Sequence, residues 1–138
     1  RGGITSCTIA ISDEEIASPV ASSPDYLVIM DTHSLGRLQN QISPGGEVFL
    51  NTSIVTVRPI RGDIDVVEIP VNDLAIKSVG ERYANTIMLG AFVARTRQVK
   101  LSTIVDNMAE MLGKSKAKFK DKNIEALQIG FDVLSKEK

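Results

Sequence analysis

Three short stretches could do chemistry. Arg1-Gly2-Gly3 joins a guanidinium to two residues without Cβ atoms. That pairing lets backbone N–H groups approach a phosphate or carboxylate, and it equally makes a terminal turn. Asp31-Thr32-His33 and Asn51-Thr52-Ser53 each close an apolar run. Open α/β sheets bind ligands at the ends of their strands, although the same residue types are also ordinary helix caps. Neither GxGxxG nor GxxxxGK[ST] occurs in the chain.

Counting removes several reaction classes. Cys7 has no second cysteine, so a disulfide framework, a CxxC redox pair, a zinc finger and a cysteine-ligated iron–sulfur cluster are excluded. His33 is the sole histidine, so a multi-histidine metal centre cannot form and a His-based triad would have to use that residue. Residues 1–113 carry 9 basic and 13 acidic side chains, whereas 114–138 carry 7 and 4. Within that basic tail Lys114, Lys116, Lys118, Lys120 and Lys122 alternate, which at helical spacing spreads them around the axis. Phe119 is the single aromatic among them. Nucleic-acid binding is therefore not expected. Arg61-Gly62-Asp63 spells an adhesion tripeptide, but an exposed turn explains it. No apolar run reaches the ~18 residues of a membrane span and no charged leader with an apolar core is present, so a cytoplasmic protein is expected.

The elements that would position these residues change character along the chain. All five prolines lie at or before position 70, together with the runs rich in Val, Ile and Thr. Thr5 to Ser12 alternates, with Cys7, Ile9 and Ile11 on one side, which predicts a strand. Tyr26 to Met30 is continuously apolar, as in a central parallel strand covered on both faces. A helix from about His33 to Ile42 follows, stopped by Ser43-Pro44-Gly45-Gly46, and Val48 to Asn51 is the next strand. This is a βαβ pattern. Ser53 to Asp65 reads two ways, since Ile54, Val55 and Val57 suggest extension whereas Pro59, Arg61-Gly62-Asp63 and nearby charges suggest an exposed turn, and Val66 to Ile69 is a short strand.

From Val71 onward the pattern is helical. Helices are predicted over Val71 to about Val79, Asn85 to about Arg95, about 102–112 with Ser102 as cap and Gly113 as stop, and about Asp121 to Leu134. The second of these is apolar nearly all round and should be buried. Met108 and Met111 read as core filling. Gly90 and Gly130 inside helices point to a neighbouring backbone passing close by. With 138 residues, 43% apolar and a formal net charge of −1, the chain suits a single α/β domain. A three-layer arrangement is expected, with a mainly parallel or mixed sheet, flanking helices and a helical C-terminal half.

Several of these pieces occur together in a recognisable order. After Arg1-Gly2-Gly3 come Ile9-Ala10-Ile11-Ser12, Ile16-Ala17-Ser18-Pro19 and Pro24-Asp25-Tyr26-Leu27-Val28. Gly45-Gly46-Glu47-Val48-Phe49-Leu50-Asn51-Thr52-Ser53, Glu68-Ile69-Pro70 and Asn85-Thr86-Ile87-Met88-Leu89-Gly90-Ala91 follow. Their order and spacing resemble the gamma subunit, or gamma domain, of the 2-oxoacid:ferredoxin oxidoreductases, whose substrates include pyruvate, 2-oxoglutarate, 2-oxoisovalerate and indolepyruvate.

The resemblance implies an accessory role. In that family a 2-oxoacid is oxidatively decarboxylated to an acyl-CoA with ferredoxin as electron acceptor, and thiamine diphosphate and iron–sulfur clusters sit in partner subunits. Alpha, beta and delta-type subunits are the implied partners, with no membrane. No metal or catalytic residue is implied for this chain, which alone should be inactive. Arg1, Gly2, Gly3 and Asn85 are the positions onto which the family's motifs carry over, as candidates for contact with coenzyme A. The family's domain also has an earlier strand and Gly-rich loop, so residues 1–138 are expected to form a single gamma-type domain lacking them. The competing reading is a non-catalytic α/β module binding a small anion around Asp31 and Asn51. A nicotinamide-dependent dehydrogenase is weaker still, for want of the glycine fingerprint.

Overall fold

The computed structural model of the chain describes residues 5–18 and 22–136. It forms two compact units, Arg1–Leu50 with Val55–Glu68, and Asn51–Ile54 with Ile69–Lys138.

The first unit is built on a sheet. Strands β1 (Tyr26–Ile29), β2 (Glu47–Asn51) and β3 (Asp65–Ile69) lie in the order β1-β2-β3. β1 and β2 are parallel, with Tyr26 opposite Glu47 and Ile29 opposite Leu50. β3 runs the same way, since Asp65 N–H donates to the Gly46 carbonyl at its start and its Ile69 carbonyl accepts from Thr52 N–H at its end. Helix α1 (Thr32–Leu38) connects β1 to β2. Ile29, Leu35, Ile42, Val48, Leu50 and Val55 close the core of this unit. The α/β class is as expected.

Three local expectations are corrected. β2, not β1, is the middle strand among the described residues, and Val28 of β1 is 42% exposed. A continuous apolar run permits burial on both faces, but a neighbouring element has to supply it, and of β1 only Ile29 is buried. Residues 5–12 form no strand. They run irregular and exposed, with Ile9 at 78% and Ile11 at 70%, because alternation permits a strand but a ladder needs a partner edge. Finally, α1 stops at Leu38, and buried Ile42 sits in the turn beyond it. Pro44 disfavours helix at the residue before it, and carbonyls beyond the helix end are taken up by Arg61, whose Nη1 donates to Gln39 at 3.2 Å and Ile42 at 2.6 Å.

Gly46 is required in the turn that enters β2. A Cβ there would stand 2.7 Å from Ile42 Cγ1 and 2.8 Å from the Asp25 carbonyl oxygen.

The second unit is helical. It contains α2 (Val71–Lys77), a 3-10 turn (Glu81–Tyr83), α3 (Ala84–Thr96), α4 (Leu101–Leu112), a 3-10 stretch (Lys114–Phe119) and α5 (Lys120–Ser135). Seven residues of α3 are buried, among them Ile87, Met88 and Val93, in keeping with its all-round apolar character. α3 packs along α5, and Gly90 and Gly130 are the positions of closest approach. α4 begins at Leu101 with Lys100 in the cap position and no side-chain cap bond, so Ser102 lies in the first turn and does not cap it. Met108 is buried as expected, whereas Met111 is 60% exposed and is not core. Its position on the stripe faces outward because α4 buries only a narrow strip.

Candidate functional site

Asp31 terminates β1 and starts α1. Its Oδ1 accepts from Ser34 N–H at 3.0 Å and its Oδ2 from the Ser34 hydroxyl, which satisfies an orphan donor of the helix start. The Ser34 hydroxyl foremost, then the Ser34 amide, hold the Asp31 carboxyl below its ordinary range. Thr32 and His33 are exposed in the first turn. The carboxylate is committed to capping, and His33 is the one other titratable group of the stretch.

Asn51-Thr52-Ser53 builds a denser arrangement within the second unit. Asn51 is fully buried, and its Nδ2 donates to Asn72 Oδ1 at 2.8 Å. Asn72 Nδ2 in turn donates to Glu81 Oε1 at 3.4 Å. Thr52 N–H donates to the Ile69 carbonyl, and Ser53 Oγ accepts from Asp73 N–H at 3.0 Å. Pro70, the cap residue of α2, has no side-chain oxygen, so Ser53 supplies the missing acceptor from elsewhere in the chain. Asn72 and Glu81 were not singled out from the sequence, because nothing local marks a polar residue of the helical half as the partner of a strand end.

The start of α3 is polar as well. Asn85 is exposed, while its neighbour Thr86 is buried and donates from Oγ1 to Asn123 Oδ1 at 2.9 Å. Asn123 Nδ2 donates to the Phe119 carbonyl at 2.9 Å. The Arg82 guanidinium stands 4.4 Å from the Phe119 ring centroid and 5.6 Å from that of Tyr83. Arg1, Gly2 and Gly3 lie outside the described residues.

Arg61-Gly62-Asp63 is used internally. Arg61 Nε and Nη2 donate to the two Asp63 carboxylate oxygens at 2.8 and 2.5 Å. That bond lowers the Asp63 pKa and raises that of Arg61. Neither charged group is presented as adhesion would need.

Amide-rich clusters of this kind orient and bind by hydrogen bonds. Among the described residues no group of three His, Cys, Asp or Glu side chains could hold a metal ion, and no helix is long and apolar enough to cross a membrane.

Comparison with known proteins decides the lineage. The sequence model of the pyruvate ferredoxin/flavodoxin oxidoreductase family matches residues 1–133. The chain belongs to this family.

Relatives within the family differ in length and context. The ketoisovalerate oxidoreductase subunit VorA of Methanothermobacter thermautotrophicus is 32% identical over 94 residues, 68% of this chain and 19% of VorA. The 2-oxoglutarate synthase subunit KorC of Methanocaldococcus jannaschii is 27% identical over 135 residues, 96% of this chain and 71% of KorC. The family fold also appears in the gamma subunit of a keto/oxoacid ferredoxin oxidoreductase from Geobacter sulfurreducens. That structure has a TM-score of 0.71 and 23% identity, covering 80% of this chain and 63% of that one. The chain thus spans about a fifth of VorA and under two-thirds of the Geobacter subunit.

Proposed function

We propose that the chain is the gamma-type domain of a multisubunit 2-oxoacid:ferredoxin oxidoreductase. In this reading it is a cytoplasmic, accessory part of an enzyme that oxidatively decarboxylates a 2-oxoacid to an acyl-CoA and passes the electrons to ferredoxin. The observation that carries it is the family match over residues 1–133, supported by relatives whose names place them in pyruvate, 2-oxoglutarate and ketoisovalerate enzymes.

The donor set supports an accessory role. A four-iron cluster takes four thiolates and these 138 residues hold one cysteine, exposed Cys7, which supports placing the clusters outside them. Thiamine diphosphate is likewise assigned to partner subunits, the proposed partners being alpha, beta and delta-type subunits, with ferredoxin reached through the complex. For coenzyme A the described residues offer the exposed Asn85 carboxamide, which can donate and accept hydrogen bonds. Arg1, Gly2 and Gly3 complete the proposed contact set, their types suiting a phosphate.

Anaerobic affinity purification of the full-length protein from its own cells tests this reading. A thiamine-binding chain and a cysteine-rich cluster chain are expected to co-purify. The preparation should reduce viologen with a 2-oxoacid only when coenzyme A is present. Recovery of the protein alone, or activity from this chain without partners, would overturn the assignment.

A further inference from the structure

We propose that Arg82 and Lys118 form the centre of a docking surface for an acidic patch on a neighbouring protein subunit. The inference rests on the multisubunit reading above and deepens it by naming the face through which this chain meets a partner. α3 and α5 run parallel and begin at the same end, since Arg82 meets Phe119, Thr86 meets Asn123 and Gly90 meets Leu127, each pair 37 positions apart. That end gathers positive charge from two separate parts of the chain. Residues 114–122 carry five lysines against one carboxylate, Asp121. Arg82 joins them from the 3-10 turn before α3. Its guanidinium lies 4.4 Å from the Phe119 ring centroid, and Lys118 Nζ lies 5.1 Å from the same centroid. Mutual repulsion opposes two cations sharing one ring. Yet among the described residues no carboxylate forms an ion pair with either of them. Glu81, next to Arg82 in sequence, accepts instead from Asn72 at 3.4 Å, and Glu125 pairs with Lys122 at 3.4 Å. Arg58 and Arg61, by contrast, are matched within their own unit by Glu68 and Asp63.

The uncompensated charge indicates what covers this end. A guanidinium resting on a ring is held in place and keeps donors for a carboxylate, and the neighbouring ammonium adds a second point of attraction. Arg82 and Lys118 are both exposed. A small ligand is instead buried for most of its surface in a cleft, so a broad acidic protein surface matches better. Nucleic acid is disfavoured because Phe119, the single aromatic of residues 114–122, is already covered by Arg82 and offers no free face to a base. A second copy of this chain joined about a two-fold axis here would set Arg82 and Lys118 against their own counterparts, like charge against like. Carboxylates on a different subunit gain new ion pairs at both cations and steer the two chains together from a distance.

The test uses the full-length subunit assembled with the partner subunits that co-purify with it. Arg82→Glu combined with Lys118→Glu is expected to weaken assembly roughly tenfold or more at about 50 mM salt, read by native mass spectrometry or sedimentation across a dilution series. Arg82→Lys combined with Lys118→Arg keeps both charges and should stay within about threefold of wild type. The gap between wild type and the charge-reversed variant should narrow at about 500 mM salt, a readout that a merely structural defect would not give. Should the double variant melt lower than wild type, Lys118→Glu alone is read by the same salt criterion. Unchanged assembly and an unchanged salt dependence would overturn the inference while leaving the proposed function intact. A wild-type chain that binds no partner would overturn both. With partner binding unchanged, three other losses in the charge-reversed variant would each overturn it: self-association would assign the surface to a second copy, retention of a single-stranded oligonucleotide to nucleic acid, and a raised coenzyme A requirement to the cofactor.

Discussion

Gly90 and Gly130 face each other's helix reciprocally. A Cβ on Gly90 would fall on the Leu127 carbonyl oxygen and 2.9 Å from Phe131 N, and one on Gly130 would fall on the Ile87 carbonyl oxygen and 2.9 Å from Ala91 N. The two backbones therefore touch where side chains would normally separate them. Packing, not turn formation, is why both helices tolerate glycine at a cost of ~1 kcal/mol each in helix propensity.

Gly90→Ala and Gly130→Ala are expected to destabilise the protein by about 3 kcal/mol or more, at the upper end of overpacking costs, because the obstructing atoms are backbone. Urea denaturation of each variant measures this. A change below about 1 kcal/mol in either would show that the helices can part without penalty.

Gly36 provides the opposite sign. It lies inside α1 with no atom within 4 Å of a built Cβ. Gly36→Ala should stabilise by about 0.4–1 kcal/mol through helix propensity and reduced freedom of the unfolded chain. A raised denaturation midpoint is the expected result, and a lowered one would contradict the open space at that position.

Asp31→Ala should cost about 1 kcal/mol by removing the cap of α1. The carboxyl is held below its ordinary range when folded, chiefly by Ser34. Its contribution is therefore fully present above the unfolded pKa, at about 3.9, and lost as the pH falls below that value through the lower folded one. Asp31→Asn keeps an acceptor for the Ser34 amide but has no carboxyl to titrate. Melting temperatures followed across that range should therefore give a flatter profile for the Asp31→Asn variant than for wild type, and parallel profiles would contradict the role of the carboxylate.

Thr86 and Asn123 join α3 to α5 through a buried hydrogen bond. Thr86→Val leaves the Asn123 oxygen without that donor and should cost about 1–3 kcal/mol. Thr86→Val combined with Asn123→Leu should cost less than the sum of the single changes. A double-mutant cycle reads the coupling, and strict additivity would show that the pair acts independently.

Much of the helical half was legible along the chain. The spacing of Ile87, Met88, Ala91 and Val93 implied a buried helix, and glycines at 90 and 130 implied close backbones, because both signals arise within one element. The motif order from Arg1 to Ala91 likewise carried the family. Other outcomes depended on partners distant in sequence. Alternation at Cys7, Ile9 and Ile11 did not make a strand without a pairing edge, and the apolar run at β1 did not make it central. Ser53 capping α2, Asn51 reaching Asn72, and Arg61 meeting carbonyls beyond α1 each join residues 19 to 22 positions apart. A linear pattern records which residues prefer burial or a turn. Which donor meets which acceptor is settled when the chain folds back on itself, because a hydrogen bond is specified by position in space and not by distance along the backbone.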